Sequence, residues 1–248
     1  MKTQTFIFVH DEQIVLDFEL NSKFKDVPNL TYVFVGFSSY EKIKHLSNLI
    51  IARELKYNIE TWGKNLLAYA GWYALYKNNL ISADFINLFE YDIILSNNFN
   101  EIQQGVIHAD IDFIGYIPLE IHDYWFMQCD DFCLPLLNSI HKHYGINCKQ
   151  YINDIQELKK VGLTSNQSMS FNTLDKFMKW MEPIVEDIKD EYMAGHMPER
   201  AFPFYCLYYG LNGFILDKVL SHFSMGTHGT TGTPKEYFNS NYENLVTK

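Results

Sequence analysis

Two acids, Glu90 and Asp92, stand one residue apart inside the run Phe85-Ile86-Asn87-Leu88-Phe89-Glu90-Tyr91-Asp92-Ile93-Ile94-Leu95. An apolar run of this length reads as a buried strand. Charges at the end of a buried strand are costly unless they are paired or meet a cation. Acids at i and i+2 can both reach one hard divalent ion, Mn²⁺ or Mg²⁺, which prefers oxygen ligands. The plain alternative is a strand end decorated with two acids, solvated or paired with lysine. Spacing alone favours that alternative, because short motifs recur by chance.

A second group is Gly195-His196-Met197-Pro198-Glu199-Arg200-Ala201-Phe202. Pro198 suits the first turn of a helix, where its missing N–H does no harm. Glu199 then falls where the helix dipole favours an ionised carboxylate, and such a group can take a proton from a hydroxyl. The bland reading is that Glu199 caps the helix and Arg200 pairs with an acid elsewhere. A third group lies near the C-terminus. His222 and His228 lie where the last expected helix gives way to a Gly/Thr-rich tail, and His228, flanked by Thr227 and Gly229, has the freedom to reach inwards as a further metal ligand and close the tail over a bound nucleotide. A solvated histidine is the simpler reading of each alone. His10, His45, His108 and His122 have no partner at metal-ligand spacing. Among the aromatic residues, Tyr116, Tyr124 and Trp125 flank a loop and are the expected sugar-stacking set.

The chain has 248 residues, enough for one large α/β domain with a sizeable core. A formal net charge of −10 argues against a nucleic-acid backbone as partner, since that needs a basic patch. One nucleotide diphosphate stays compatible, because a metal neutralises it. Cys129, Cys133, Cys148 and Cys206 show no paired zinc spacing and read as free thiols in a reducing, cytoplasmic setting. No apolar run approaches the ~18 residues of a membrane span; peripheral membrane contact is left open. The sequons at Asn29 and Asn166 are expected to stay unmodified, as nothing directs the chain to a secretory route. P-loop, G-x-G-x-x-G and G-x-S-x-G motifs do not occur, which removes support for P-loop kinases, dinucleotide dehydrogenases and serine hydrolases.

The elements that must position these groups alternate. Strands are expected at 5–9, 31–36, 84–95, 111–117 and 168–171. Helices are expected at 41–57, 64–79, 131–144, 149–160, 174–193, 198–209 and 213–222, with Asn172 or Thr173 capping the long one. Strand–helix alternation predicts a single α/β domain, a mostly parallel sheet with helices on both faces. Ligands on such sheets sit beyond the carboxyl ends of the strands. The tail from about 226 is expected to be mobile until something binds.

The order of blocks resembles the small GT-A glycosyltransferases of capsular and surface polysaccharide synthesis, including a bacterial and viral branch. The blocks are Gly63–Asn78 with its paired Lys-Asn dipeptides, the acidic strand, Met169-Ser170-Phe171, the helix carrying Trp180 and Pro183, and Gly195–Phe202. They span roughly residues 32–222. At the centre the chain departs from that branch, which carries a His-Tyr-Arg-Arg-like motif; Glu90-Tyr91-Asp92 is closer to the metal-binding D-x-D of wider GT-A enzymes. The resemblance implies a GT-A-like, Rossmann-like fold and a hexosyl- or pentosyltransferase. It implies a nucleotide-diphosphate sugar donor, a glycan or glycolipid acceptor, and Mn²⁺ or Mg²⁺. Asp92 would be a direct metal ligand, and Glu90 would contact metal or ribose. Tyr91, Lys64 and Asn65 would line the donor site, and Glu199 would activate the acceptor of an inverting enzyme, with Arg200 beside the substrate. The rivals are a non-catalytic carbohydrate-binding protein on the same fold and a metal-dependent nucleotidyltransferase or phosphoryl hydrolase.

Overall fold

A computed structural model describes residues 1–20, 27, 29–60, 66–107, 110–121, 133–155, 159–162 and 165–222. Its centre is a seven-stranded sheet, with helices on both faces. The strands are β1 (Thr3–Val9), β2 (Leu30–Phe34), β3 (Leu49–Ile51), β4 (Phe85–Glu90), β6 (Phe113–Tyr116), β9 (Gln167–Ser170) and β10 (Gly213–Leu216), in the order β10-β6-β9-β4-β1-β2-β3. β1 pairs in parallel with β2 and β4, β2 with β3, and β10 with β6. Only β9 runs against its neighbours, β4 and β6. Two small ribbons complete the strands: β5 (Ile93–Leu95) with β11 (Leu220–His222), and β7 (Pro118–Glu120) with β8 (Lys160–Gly162).

Side-chain alternation along β4 divides the molecule. Ile86 and Leu88 join one core, shared with α2 (Leu67–Lys77), α4 (Leu134–Tyr144), α5 (Cys148–Asp154), α6 (Phe171–Ile188) and α7 (His196–Tyr208). Phe85 and Phe89 join the other, beneath α1 (Glu12–Leu20) and α3 (Phe99–Ile107). The crossover from β1 to β2 therefore carries its helix on one face, and that from β3 to β4 on the opposite face. The chain leaves β1 towards β2 and returns on β1's other side as β4. This reversal makes the gap between β1 and β4 the topological switch point, where open α/β sheets bind ligands. Gly71 lets α2 lie close on the sheet: a Cβ there would come within 2.3 Å of the Phe8 ring.

The second face holds a buried polar cluster. Asn87 Nδ2 donates to Thr5 Oγ1 at 2.9 Å and to Gln103 Oε1 at 3.1 Å. Gln103 Nε2 donates to Asn87 Oδ1 at 2.6 Å and reaches Tyr116 Oη and Ser168 Oγ, both at 3.2 Å. These bonds tie β1, β4, β6 and β9 to α3. Tyr116 is fully buried in this cluster, which corrects its expected place in a sugar site: its hydroxyl is committed to Ser168 at 2.8 Å.

Several elements differ from their expected form. Residues 41–57 form turns, the short strand β3 and a 3₁₀ turn at Ala52–Glu54 rather than a helix. Residues 213–222 form β10 and β11 rather than a last helix. The expected strand 84–95 breaks at Tyr91-Asp92 into β4 and β5. α6 starts earlier than expected, capped by Ser170, whose side chain accepts the N–H of Thr173. α1 and α3 carry no signal that marked them in advance. Cys133, Cys148 and Cys206 are buried. No described helix is long and apolar enough to cross a membrane.

Candidate functional site

Four segments meet at the carboxyl edge of the sheet around the switch point. Glu90 closes β4, and Tyr91-Asp92 make the turn into β5. By strand alternation Glu90 follows Ile86 and Leu88 onto the face that carries α7. α7 begins at the same edge and brings Glu199 in its first turn with Arg200 directly after it, both buried along with Asp92. His10 follows β1, with its ring edge-on to Tyr91 at 4.6 Å between centroids. β9, running the opposite way, starts where β4 ends and delivers Ser165 and Asn166. The buried Asn166 side chain accepts the Glu90 N–H at 2.7 Å.

The charges of this group are strongly interdependent. Burial raises the proton affinity of Glu90 well above the ordinary carboxylate range, and the charges of Asp92 and Glu199 raise it further. A hydrogen bond from Ser165 and the charge of Arg200 oppose that rise. Burial would also raise Glu199, but Arg200 and His196 outweigh it and hold this carboxyl below its usual range. The contacts are close: Arg200 Nη1 lies 2.5 Å from Glu199 Oε1, and His196 Nδ1 lies 3.5 Å from Glu199 Oε2. Arg200 Nη1 also donates to the carbonyl of His196 at 3.0 Å, which locks the pair to its own helix. Burial beside Asp92 and Glu90 pushes the Tyr91 phenol up to about 12. Desolvation lowers the His10 imidazole, against the pull of Asp11 and Asp92.

Next along the edge, the bend after β2 is held from both sides. Glu60 Oε2 accepts the N–H of Gly36 at 3.0 Å, while Arg53 donates to the carbonyls of Gly36 at 2.8 Å and Ser38 at 3.2 Å. Gly36 has a φ of +81°, a conformation that suits glycine.

Of the residues expected at a site, the structure brings together Glu90, Tyr91, Asp92, Glu199 and Arg200. Arg200 pairs with its own neighbour Glu199, and its charge also acts on Glu90. Lys64, Asn65, Tyr124, Trp125 and His228 lie outside the described residues. Sequence reasoning missed His10, Ser165, Asn166 and His196. Only His196 carried a usable signal, three residues before Glu199 in a helix.

No family model matches this chain, and no curated protein matches it. Solved structures do. The apo structure of WbbM, a bifunctional glycosyltransferase, superposes with a TM-score of 0.61 over 90% of this chain and 46% of its own, at 13% identity. The present chain thus spans about half the length of that protein. A mycobacterial protein matches over 68% of this chain and 53% of its own, with a TM-score of 0.38 and 13% identity. The likeness to WbbM is one of fold: a mostly parallel sheet with helices on both faces, in the arrangement of a glycosyltransferase structure.

The donor chemistry of the site can be weighed against a divalent cation. Among the described residues, no three His, Cys, Asp or Glu side chains gather closely enough to hold a metal ion between them. An all-protein cage of that kind is therefore absent from the described residues. Glu90 and Asp92 instead offer a two-carboxylate, all-oxygen set crowded by Glu199. That set suits Mg²⁺ or Mn²⁺ bound through one or two carboxylates with substrate phosphates and water completing the shell.

Proposed function

We propose that the chain is a glycosyltransferase of GT-A type. It moves a hexosyl or pentosyl group from a nucleotide-diphosphate sugar to a hydroxyl of a glycan or glycolipid, in the synthesis of a surface polysaccharide. The observation that carries this reading is the convergence of the Glu90-Tyr91-Asp92 turn with Glu199 and Arg200 at the β1/β4 switch point. The fold likeness to a glycosyltransferase supports it.

In this reading Asp92, with Glu90, holds Mn²⁺ or Mg²⁺. When bound, the cation supplies positive charge against the diphosphate as the sugar–phosphate bond breaks. Glu90 and Tyr91 border the donor. Glu199, kept ionised by Arg200 and His196, is in the form needed to take the proton of the acceptor hydroxyl, although the same partners weaken its pull on that proton. Asp92 and Glu199 are buried and Glu90 is half-buried, which strengthens their interactions relative to water.

The test is a thermal-shift screen of the whole chain against UDP and GDP, with and without Mn²⁺, followed by transfer assays. The wild-type protein is expected to be stabilised by one nucleotide only when Mn²⁺ is present. Asp92→Ala is expected to lose that dependence and turnover while keeping its melting temperature within a few degrees. A protein that binds glycans but answers to neither nucleotide nor metal would be a carbohydrate-binding module instead. Undiminished turnover in Asp92→Ala would also end the proposal.

A further inference from the structure

We propose that Asn166 is a positioning residue, whose side chain replaces a missing strand partner and fixes the turn that carries Glu90 and Asp92. Backbone pairing of β4 with β9 stops at Leu88 opposite Gln167. Two residues further on, the Glu90 N–H again faces the β9 side, and β9 has no strand residue left to accept it. The Asn166 amide oxygen does so at 2.7 Å, from a fully buried position. It extends the ladder by one rung past the end of the strand, as a backbone carbonyl would.

The neighbouring residue acts on the same acid. Ser165 hydrogen-bonds the Glu90 carboxylate, so consecutive residues hold Glu90 by main chain and by side chain. The segment is braced from behind. Gln167 Nε2 donates to the carbonyl of Gly162 at 3.4 Å, and Gly162 lies so close to β6 that a Cβ there would sit 2.6 Å from the Gly115 Cα. The position demands an acceptor that carries no charge. Asp92 and Glu199 already crowd Glu90 with like charge, opposed by Arg200, and an amide satisfies the N–H without adding a further carboxylate. The catalytic consequence rests on the transferase reading; the structural role of Asn166 does not.

Hydrogen exchange on the whole chain separates the two. In Asn166→Ala, amides in the 88–94 peptide are expected to exchange about tenfold faster, as the loss of one buried hydrogen bond dictates. Peptides of β2 and α6 should stay unchanged. Asn166→Asp keeps an oxygen for the Glu90 N–H, so its exchange should stay slow. Its turnover should nevertheless fall at least as far as that of Asn166→Ala, about 10–100-fold, because a carboxylate then stands beside Glu90. This split between protection and turnover would not arise from a residue that merely fills the core. Unchanged exchange at 88–94 in Asn166→Ala would overturn the proposal, as would a uniform rise across the whole sheet. Should the exchange pattern hold while no nucleotide sugar is ever turned over, the transferase reading fails and the role of Asn166 stands.

Discussion

Glu199 is the residue whose chemistry the structure constrains most. Its partners Arg200 and His196 hold its proton affinity down, and Arg200 is fastened to the backbone of the same helix. If Glu199 accepts the acceptor proton, Glu199→Gln replaces that base with an amide too weakly basic to hold it. Turnover should then drop by about 10²–10⁴, with the KM for donor little changed, in steady-state kinetics on protein confirmed as folded. That control matters, because removing one member of a buried ion pair leaves the other charge uncompensated. A drop below about tenfold would leave Glu199 as a counter-charge to Arg200 and nothing more. The acids of this site were legible in the sequence because each carries a local signature: i and i+2 spacing in an apolar run, and a first helical turn. His10, Ser165 and Asn166 carry none. They reach the site only because β1 lies beside β4 and β9 runs antiparallel to it, and no local pattern records that neighbourhood.

At the scale of elements, legibility followed the length of the pattern. α6, with many turns of regular spacing, was readable apart from its start at the Ser170 cap. Residues 41–57 present Ile43, Leu46, Ile50 and Leu55 at spacings that suit a helix, yet Leu49-Ile50-Ile51 became an edge strand, because the β2 backbone pairs with it. Gly213-Phe214-Ile215-Leu216 likewise pairs with β6, and Gly213 is required there: a Cβ would meet the Phe113 ring at 2.2 Å. Short apolar runs of this kind are decided by tertiary pairing. The contact between α4 and α6 also makes an element-scale prediction. Asp187 on α6 accepts from Lys142, Ser139 and His143 of α4 at 2.7, 2.9 and 2.8 Å. Lys142 leads the effects that lower its carboxyl from 3.8 to about 2. A depressed carboxylate contributes stability that is fully present above its unfolded pKa and lost as pH falls through the folded one. The loss should therefore run from about pH 4 to about pH 2. Solvent screening of these partly exposed groups reduces it to about 1 kcal/mol. Urea titrations across that range should show it in the wild type and not in Asp187→Asn.

The whole molecule is two cores sharing one sheet. The larger lies under α2, α4, α5, α6 and α7 and contains Trp72 and Trp180; the smaller lies under α1 and α3. Both draw on alternate residues of the same strands, so neither can lose its packing without exposing the back of the other. The polar cluster around Gln103 reinforces this coupling by binding α3 to β4, β6 and β9 directly and to β1 through Asn87. The site sits at the edge where both cores end, which makes its geometry a property of the whole sheet. A substitution on the smaller face should then destabilise everything together. Phe99 packs edge-on to Phe89 with centroids 5.7 Å apart and lies beside Tyr116 at 6.1 Å. Phe99→Ala should cost about 3–5 kcal/mol. Denaturant unfolding should show the same shift of midpoint by circular dichroism and by tryptophan fluorescence, although Trp72 and Trp180 lie across the sheet from the missing ring. A fluorescence midpoint that stayed in place while the circular-dichroism midpoint moved would show the two faces unfolding separately, and the switch-point site would then depend on the larger core alone.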